Sequence, residues 1–234
     1  MPSVLKTVRP TVDVTIQKLA AASFVTDPIA GEKLSRMTSI ISSAYKRHGA
    51  IIEIALYHAI SQKNSIEARN KVPFFVSRNA SSYIESHNFK GPEGRRACMT
   101  TSLPYRDDVD GSNYEIDILY FDHRTKVVVA LEVKRGNGQF DRGKRDSMIK
   151  SALTVRTLLA SYAAKQGWPA QGVESRILAY YGVPKFPAEI YMRGRDLDTF
   201  IAPGVHDAVE EVNRYFQTQL MCLLEGDIGP GRLI

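Results

Sequence analysis

Three residues of the types that perform acid–base and metal chemistry interrupt two strongly β-forming runs of this chain. The first run, YEIDILYF, contains Asp117, and the second run, VVVALEVK, ends with Glu132 and Lys134. An ordinary buried hairpin would carry Val or Ile at these positions. Because side chains alternate between the two faces of a strand, Glu132 and Lys134 should point the same way. Charges at the end of an apolar strand are unfavourable unless they have a use, so these residues are the first candidates for a functional site.

The segment between the two runs predicts a turn, centred near residues 122–125, and therefore a β-hairpin. We expect this register to put Asp117 opposite Ala130 or Leu131, within a diagonal step of Glu132. Two neighbouring carboxylates repel each other unless a cation lies between them. Lys134 would supply part of that positive charge, and a divalent metal would supply more. Oxygen ligands at this density suit Mg²⁺, or Mn²⁺ in its place, because Mg²⁺ binds one or two carboxylates together with a phosphate.

Such a site suits the hydrolysis of a phosphodiester. A metal there would polarise the phosphoryl oxygen and acidify a bound water, and Lys134 could stabilise the developing charge. A basic stretch comes directly after the site and would hold a polynucleotide backbone; its residues are Arg135, Arg142, Lys144 and Arg145. The net charge of the whole chain, +6, also favours a polyanionic partner.

The remaining pattern predicts a layered α/β or α+β fold with a central sheet. We expect helices at 11–24, 35–62, 145–165 and 205–224, and strands at 73–78, 114–121, 126–134 and 175–183. We expect Gly49 to divide the second of these segments into two helices. Residues 79–96 are polar, and KGPEGRR at 90–96 predicts a loop. The stretch from Ala97 to Tyr105 is ambiguous and could be another strand, and 184–203 is expected to be irregular.

Composition excludes several classes of protein. The chain has 234 residues and no apolar run near the roughly 20 residues that a membrane span needs. Its N-terminus lacks the apolar region of a signal peptide. Two cysteines cannot form a disulfide framework, which predicts a reducing, cytoplasmic setting. The length suits a single domain, with an N-terminal helical extension at 1–34, a catalytic core at 35–183 and a C-terminal helical region at 184–234.

An aspartate, a hairpin turn and then Glu-x-Lys resemble the motif of the PD-(D/E)XK, or restriction-endonuclease-like, nuclease superfamily. In this chain the matching residues are Asp117 and the EVK of Glu132–Lys134, 15 positions further on. The order of predicted elements is also similar to the αβββαβ core of that family, over about residues 44–183. A departure is Ile116, which stands where the motif often has proline.

The resemblance implies a Mg²⁺-dependent DNA endonuclease of restriction, repair or junction-resolving type. Asp117 and Glu132 would be the metal ligands, with the Val133 carbonyl as a third, and Lys134 would be the catalytic lysine. Many members carry a glutamate on the first core helix that reaches the metal directly or through water, and Glu53 in the GAIIE segment matches it as an auxiliary metal ligand. Family members often contact the scissile phosphate from the start of the next helix, where Gln139 and Lys144 lie. Many members act as homodimers, and none of these features requires a membrane or a nucleotide cofactor.

Other interpretations stay open at this point. The three charged residues could form a cross-strand ion-pair cluster on a solvated sheet face, and Glu53 could be a boundary residue of its helix. The segment Gly138–Arg145 lacks one residue of a phosphate-binding loop, because Arg145 replaces the Ser or Thr that binds Mg²⁺. The principal alternative to an enzyme is a nucleic-acid-binding or scaffold protein that has the nuclease-like fold without turnover.

Overall fold

The structure is a computed structural model that describes residues 3–136, 141–182 and 186–228. The chain folds into two compact units, one of residues 1–59 and 203–234 and the other of residues 60–202. Residues 35–59, which the sequence analysis assigned to the catalytic core, therefore belong to the first unit. The described helices include none that is both long and apolar enough to cross a membrane.

The first unit is built from helices. They are α1 (Val4–Ala20), all but the last two residues of α2 (Gly31–Ser61) and, from the other end of the chain, α7 (Val205–Ile228). Ser3 caps the start of helix α1, because its hydroxyl accepts the Lys6 N–H. Helix α1 packs along α7. Helix α2 is continuous, so the predicted division at Gly49 is wrong. The predicted C-terminal helix is confirmed and extends four residues further.

A five-stranded mixed sheet forms the second unit, and it confirms an α/β fold with a central sheet. The strands are β1 (Ile66–Ser77), β2 (Gly111–Asp122), β3 (Val127–Lys134), β4 (Gly172–Ala179) and β5 (Tyr191–Arg193), and they lie in that order across the sheet. Strands β1, β2 and β3 are antiparallel neighbours, whereas β4 and β5 run parallel to β3. The predicted hairpin of β2 and β3 is confirmed, and β1 starts seven residues before the predicted strand.

Helix α5 (Arg142–Lys165) packs on one face of this sheet, and the sequence predicted it to within three residues at its start. Asp141 caps it, because the Asp141 side chain accepts the Lys144 N–H at 2.8 Å. Buried side chains of α5 meet those of the strands in one apolar cluster, which includes Phe121, Ala130 and Leu158. Burial of each large side chain contributes roughly 1.5–3 kcal/mol, so this packing fixes α5 against the strands that carry the candidate site.

Two short helices lie between β1 and β2, where the sequence analysis expected a loop. They are α3 (Arg78–Ser86) and α4 (Pro92–Thr100), and the loop predicted at 90–96 is therefore wrong from Pro92 onward. Each helix buries very few apolar residues; Ile84 and Cys98 pack with Leu153 of α5. So small an apolar face gives little periodic pattern in the sequence, which is why the helices were missed.

The stretch predicted to be irregular at 184–203 contains short elements within its described part. They are two 3₁₀ turns (Ala188–Ile190 and Gly194–Asp196), strand β5 and the single-turn helix α6 (Leu197–Phe200). Strand β5 pairs with β4 over only three residues, so its sequence carries too little alternation to predict a strand.

Candidate active site

The candidate site lies where the ladder between β2 and β3 ends. The last paired residues are Ile118 and Leu131. Beyond them the Asp117 carboxylate, rather than a backbone carbonyl, accepts the N–H of Val133, with Oδ2 and N 2.6 Å apart. The Asp117 side chain therefore takes over a hydrogen bond of the ladder at the point where the two strands separate.

This register corrects one expectation. Asp117 was expected opposite Ala130 or Leu131, but those residues pair with Leu119 and Ile118. The centre of the turn therefore lies slightly later in the chain than the sequence pattern indicated. The shift moves Asp117 toward the end of β3, which is where Glu132 and Lys134 lie.

Lys134 lies between the two carboxylates. Its Nζ is in direct contact with Oε1 of Glu132 and is 3.6 Å from Oδ2 of Asp117. The same Nζ also donates to the Val133 carbonyl oxygen at 3.2 Å. The side chains of Asp117, Glu132 and Lys134 are 15%, 22% and 31% exposed, so the cluster is largely withdrawn from water yet open on one side. A fully solvated surface ion pair, one of the open interpretations, would be more exposed than this.

Burial and neighbouring charges have opposing effects on the pKa values of Asp117 and Lys134. Burial, and next the neighbouring Glu132 carboxylate, raise the pKa of Asp117, although Lys134 and the Val133 N–H act in the opposite direction. Burial alone would lower the pKa of Lys134, but Glu132 and Asp117 reverse that effect and raise it. The ammonium of Lys134 is thus held firmly charged, while one positive charge does not fully compensate two carboxylates.

A fourth side chain, Tyr114, completes the cluster and was missed by the sequence analysis. Its hydroxyl donates to Oε2 of Glu132 at 2.6 Å. Burial, followed by the charge of Glu132, raises the pKa of Tyr114, which keeps the phenol protonated as a donor. Tyr114 and Glu132 also line a pocket of about 80 Å³ between the sheet and α5, together with Ser147 and Ser151.

Strict alternation along β2 would have assigned Glu115, not Tyr114, to the face of Asp117. The structure shows why this fails. Ile116 and Leu119 both belong to the apolar cluster beneath α5, although they are three residues apart. The register of β1 and β2 omits the pair Lys71 and Asp117, and Lys71 has φ +50°, so the ladder is interrupted at Asp117 without an extra residue on either strand. Glu115 is instead exposed, with a carboxylate oxygen 3.7 Å from the Lys71 ammonium.

The predicted basic residues lie at two places in the second unit. Arg135 comes directly after β3, and its guanidinium lies over the Tyr181 ring at 5.5 Å. Arg142, Lys144 and Arg145 lie in the first turn of α5, where Arg142 and Lys144 are exposed and Arg145 is partly buried. Gln139 lies outside the described residues.

The start of α5 differs from a phosphate-binding loop in what its backbone N–H groups contact. Such a loop presents backbone N–H groups to a phosphate. Here the carboxylate of Asp141 accepts the N–H of Lys144. A negatively charged group of the chain itself therefore lies where an anion would have to bind.

Glu53 lies on α2 and belongs to the first unit, whereas Asp117, Glu132 and Lys134 belong to the second. Its side chain is partly buried, and one carboxylate oxygen is fully withdrawn from solvent. Its assignment to the site stays a prediction.

The residues present can be tested for their fit to a divalent cation. Asp117, Glu132 and the Val133 carbonyl provide oxygen atoms around the single Nζ of Lys134, and oxygen donors are what Mg²⁺ prefers. Burial and the neighbouring Glu132 carboxylate raise the pKa of Asp117, and a cation bound between the two carboxylates would oppose both effects. Within the described residues no group of three or more His, Cys, Asp or Glu side chains is arranged to hold a metal. Two carboxylates and one carbonyl are fewer donors than octahedral Mg²⁺ takes, so a cation bound here would keep several of its own waters.

Comparisons with protein-family models, with curated proteins and with solved structures found no match to this chain. Any proposal about function therefore depends on the geometry of the residues.

Proposed function

We propose that this protein is a divalent-metal-dependent nuclease of the restriction-endonuclease-like class, which hydrolyses phosphodiester bonds of DNA. The observation that carries the proposal is the convergence of Asp117, Glu132 and Lys134 at the end of one hairpin, partly buried and held by specific interactions. The order of elements around that hairpin, with α2 and β1 before it and α5 and β4 after it, is compatible with the αβββαβ core that the motif resembles.

In this proposal Asp117, Glu132 and the Val133 carbonyl would hold Mg²⁺ or Mn²⁺. When bound, the metal would polarise the scissile phosphate and lower the pKa of a water that it holds. Side chains of the protein itself would stabilise the charge on the phosphate and bind the DNA backbone. The Lys134 ammonium stabilises the negative charge that develops on the phosphate, because it is firmly protonated. Arg135 and the basic first turn of α5 bind the backbone on either side of the scissile bond. Homodimers that cut both strands are a further expectation.

A second candidate is a nucleic-acid-binding protein of the same class without turnover. It is favoured by one observation, the interaction of Lys134 with both carboxylates, because an ammonium that already balances much of their charge competes with a metal. Both candidates predict DNA binding, and they differ in whether metal ions support cleavage.

The experiment that separates them is a cleavage assay with plasmid, branched and single-stranded DNA and with RNA, each with Mg²⁺, Mn²⁺, Ca²⁺ or EDTA. We expect cleavage with Mg²⁺ or Mn²⁺, none with EDTA, and binding without turnover with Ca²⁺. Asp117→Asn and Lys134→Ala should abolish cleavage and leave DNA binding measurable. DNA binding without cleavage under every metal would favour the second candidate, and neither binding nor cleavage would contradict both.

Asp122→Asn is the matched control for Asp117→Asn. Asp122 is a buried carboxylate on the same strand, but it lies at the turn end of the hairpin, where it accepts the Arg124 N–H and the Thr125 hydroxyl. We expect Asp122→Asn to lower stability and to retain cleavage at a temperature where it is folded. Equal loss of cleavage in both variants would mean that Asp117 acts through the stability of the hairpin.

A further inference from the structure

The two oxygens of the Glu132 carboxylate have different partners. Oε1 contacts the Lys134 ammonium, and Oε2 accepts the Tyr114 hydroxyl at 2.6 Å. The last torsion of a glutamate side chain is broad, so a carboxylate rotates easily unless both of its oxygens are held. A hydrogen bond from a neutral donor to a carboxylate is charge-assisted and short, which makes it an effective constraint on that rotation.

We infer that Tyr114 is a positioning residue, which fixes the rotation of the Glu132 carboxylate so that Oε1 is directed toward Lys134 and Asp117. This inference rests on the proposed function, since it concerns how Glu132 is presented to a divalent cation. Tyr114 is suited to the task because its ring packs against the apolar cluster beneath α5, which holds the hydroxyl in place. It acts through Glu132 and does not itself need to touch a substrate.

The pocket beside Tyr114 indicates how the site would respond to removal of the hydroxyl. The pocket of about 80 Å³ is lined by Glu132 and by the side chains of Ser147 and Ser151, so it has the room and the polar partners that a water molecule needs. In Tyr114→Phe a water could hydrate Oε2, while the phenyl ring keeps its packing. We therefore expect the variant to fold as the wild type does and to lose only the orientation of Glu132.

The test compares Tyr114→Phe with Tyr120→Phe. Tyr120 is a buried tyrosine on the same strand, and its register partner is Val129, away from Glu132. The first readout is Mn²⁺ binding without DNA, measured by electron paramagnetic resonance of the free ion, with Asp117→Asn used to identify binding at this site. We expect the Mn²⁺ dissociation constant to rise roughly 10- to 100-fold in Tyr114→Phe, the usual effect of losing a residue that orients a metal ligand. Tyr120→Phe should bind Mn²⁺ as the wild type does.

The second readout separates positioning from damage to the fold or to DNA binding. At limiting metal, Tyr114→Phe should show a lower kcat with an unchanged KM for DNA, and a high Mn²⁺ concentration should restore kcat. An unchanged Mn²⁺ affinity in Tyr114→Phe would overturn this inference and leave the proposed function standing. Wild-type protein that shows no Mn²⁺ binding dependent on Asp117, either alone or with DNA, would overturn both.

Discussion

Replacement of Lys134 by Met tests the electrostatics of the site without any assumption about catalysis. Met keeps much of the length and packing of the side chain and removes its charge. The two carboxylates then remain at the end of the hairpin, 15% and 22% exposed, with no ammonium between them. For unit charges 3.6 Å apart, Coulomb's law gives about 4–5 kcal/mol of attraction at an effective dielectric constant of about 20.

The net effect on the free energy of unfolding is smaller than that attraction. Lys134 also regains hydration when the protein unfolds, and breaking a fully buried ion pair costs roughly 3–5 kcal/mol. Because the three side chains are not fully buried, we expect Lys134→Met to lower the free energy of unfolding by about 2–3 kcal/mol at neutral pH. Denaturant titration in EDTA should show a lower midpoint with an unchanged slope.

The pH dependence of this effect depends on Asp117. Its folded-state pKa is raised above the ordinary value of 3.8, so this carboxyl stabilises the fold below the unfolded-state pKa, and that contribution is lost as pH rises through the folded-state pKa. Lys134 lowers the pKa of Asp117, so Lys134→Met should raise that pKa further. The pH range over which the stabilising contribution of Asp117 is lost should then become wider. The destabilisation should therefore be largest near pH 7 and should shrink as pH falls through the raised folded-state pKa of Asp117.

Lys150→Met is the matched control. The Lys150 side chain is also 31% exposed, and its Nζ is 2.5 Å from Oε1 of Glu85, but that partner is 59% exposed. A pair with a solvated partner contributes little, so we expect a loss below about 1 kcal/mol with little dependence on pH. Equal losses at pH 4 and pH 7 for Lys134→Met, or a loss no larger than that of Lys150→Met, would refute this account of the site.

Three further predictions concern other residues. Changing both Lys144 and Arg145 to Ala should weaken DNA binding and reduce the slope of log affinity against log salt by about one unit for each phosphate that is no longer bound; saturable ATP binding that these changes abolish would contradict the assignment. Glu53→Gln should lower cleavage roughly 10- to 100-fold and leave metal-free thermal stability unchanged or slightly higher, and wild-type activity at limiting Mg²⁺ would exclude Glu53 from the site. Gly136→Ala should destabilise by roughly 2 kcal/mol or more, because φ is +82° and a Cβ would lie 2.8 Å from the nearest side chain; denaturant titration should show a smaller effect for Gly167→Ala, which has φ +75° but open space.

Local sequence patterns were sufficient to predict the hairpin and the long helices. Alternating and continuous apolar runs on either side of a polar turn predicted β2 and β3, and helical periodicity predicted α5 and α7, because these patterns depend on neighbours within a few residues. The same local information placed Glu132 and Lys134 on one face and brought Asp117 near them. Their types and spacing were therefore enough to identify the cluster as a candidate site.

The contacts that hold this cluster in place depend on long-range pairing between strands. The pairing of β1 with β2 is interrupted at Lys71 and Asp117, and it is Tyr114 rather than Glu115 that reaches Glu132. The divergence of the strands beyond Ile118 frees the Val133 N–H for the Asp117 carboxylate. The first feature depends on a strand that lies far earlier in the chain, and the second depends on where a ladder ends. Neither feature produces a periodic pattern in the sequence, because long-range strand pairing and not local propensity sets the geometry at the end of the hairpin.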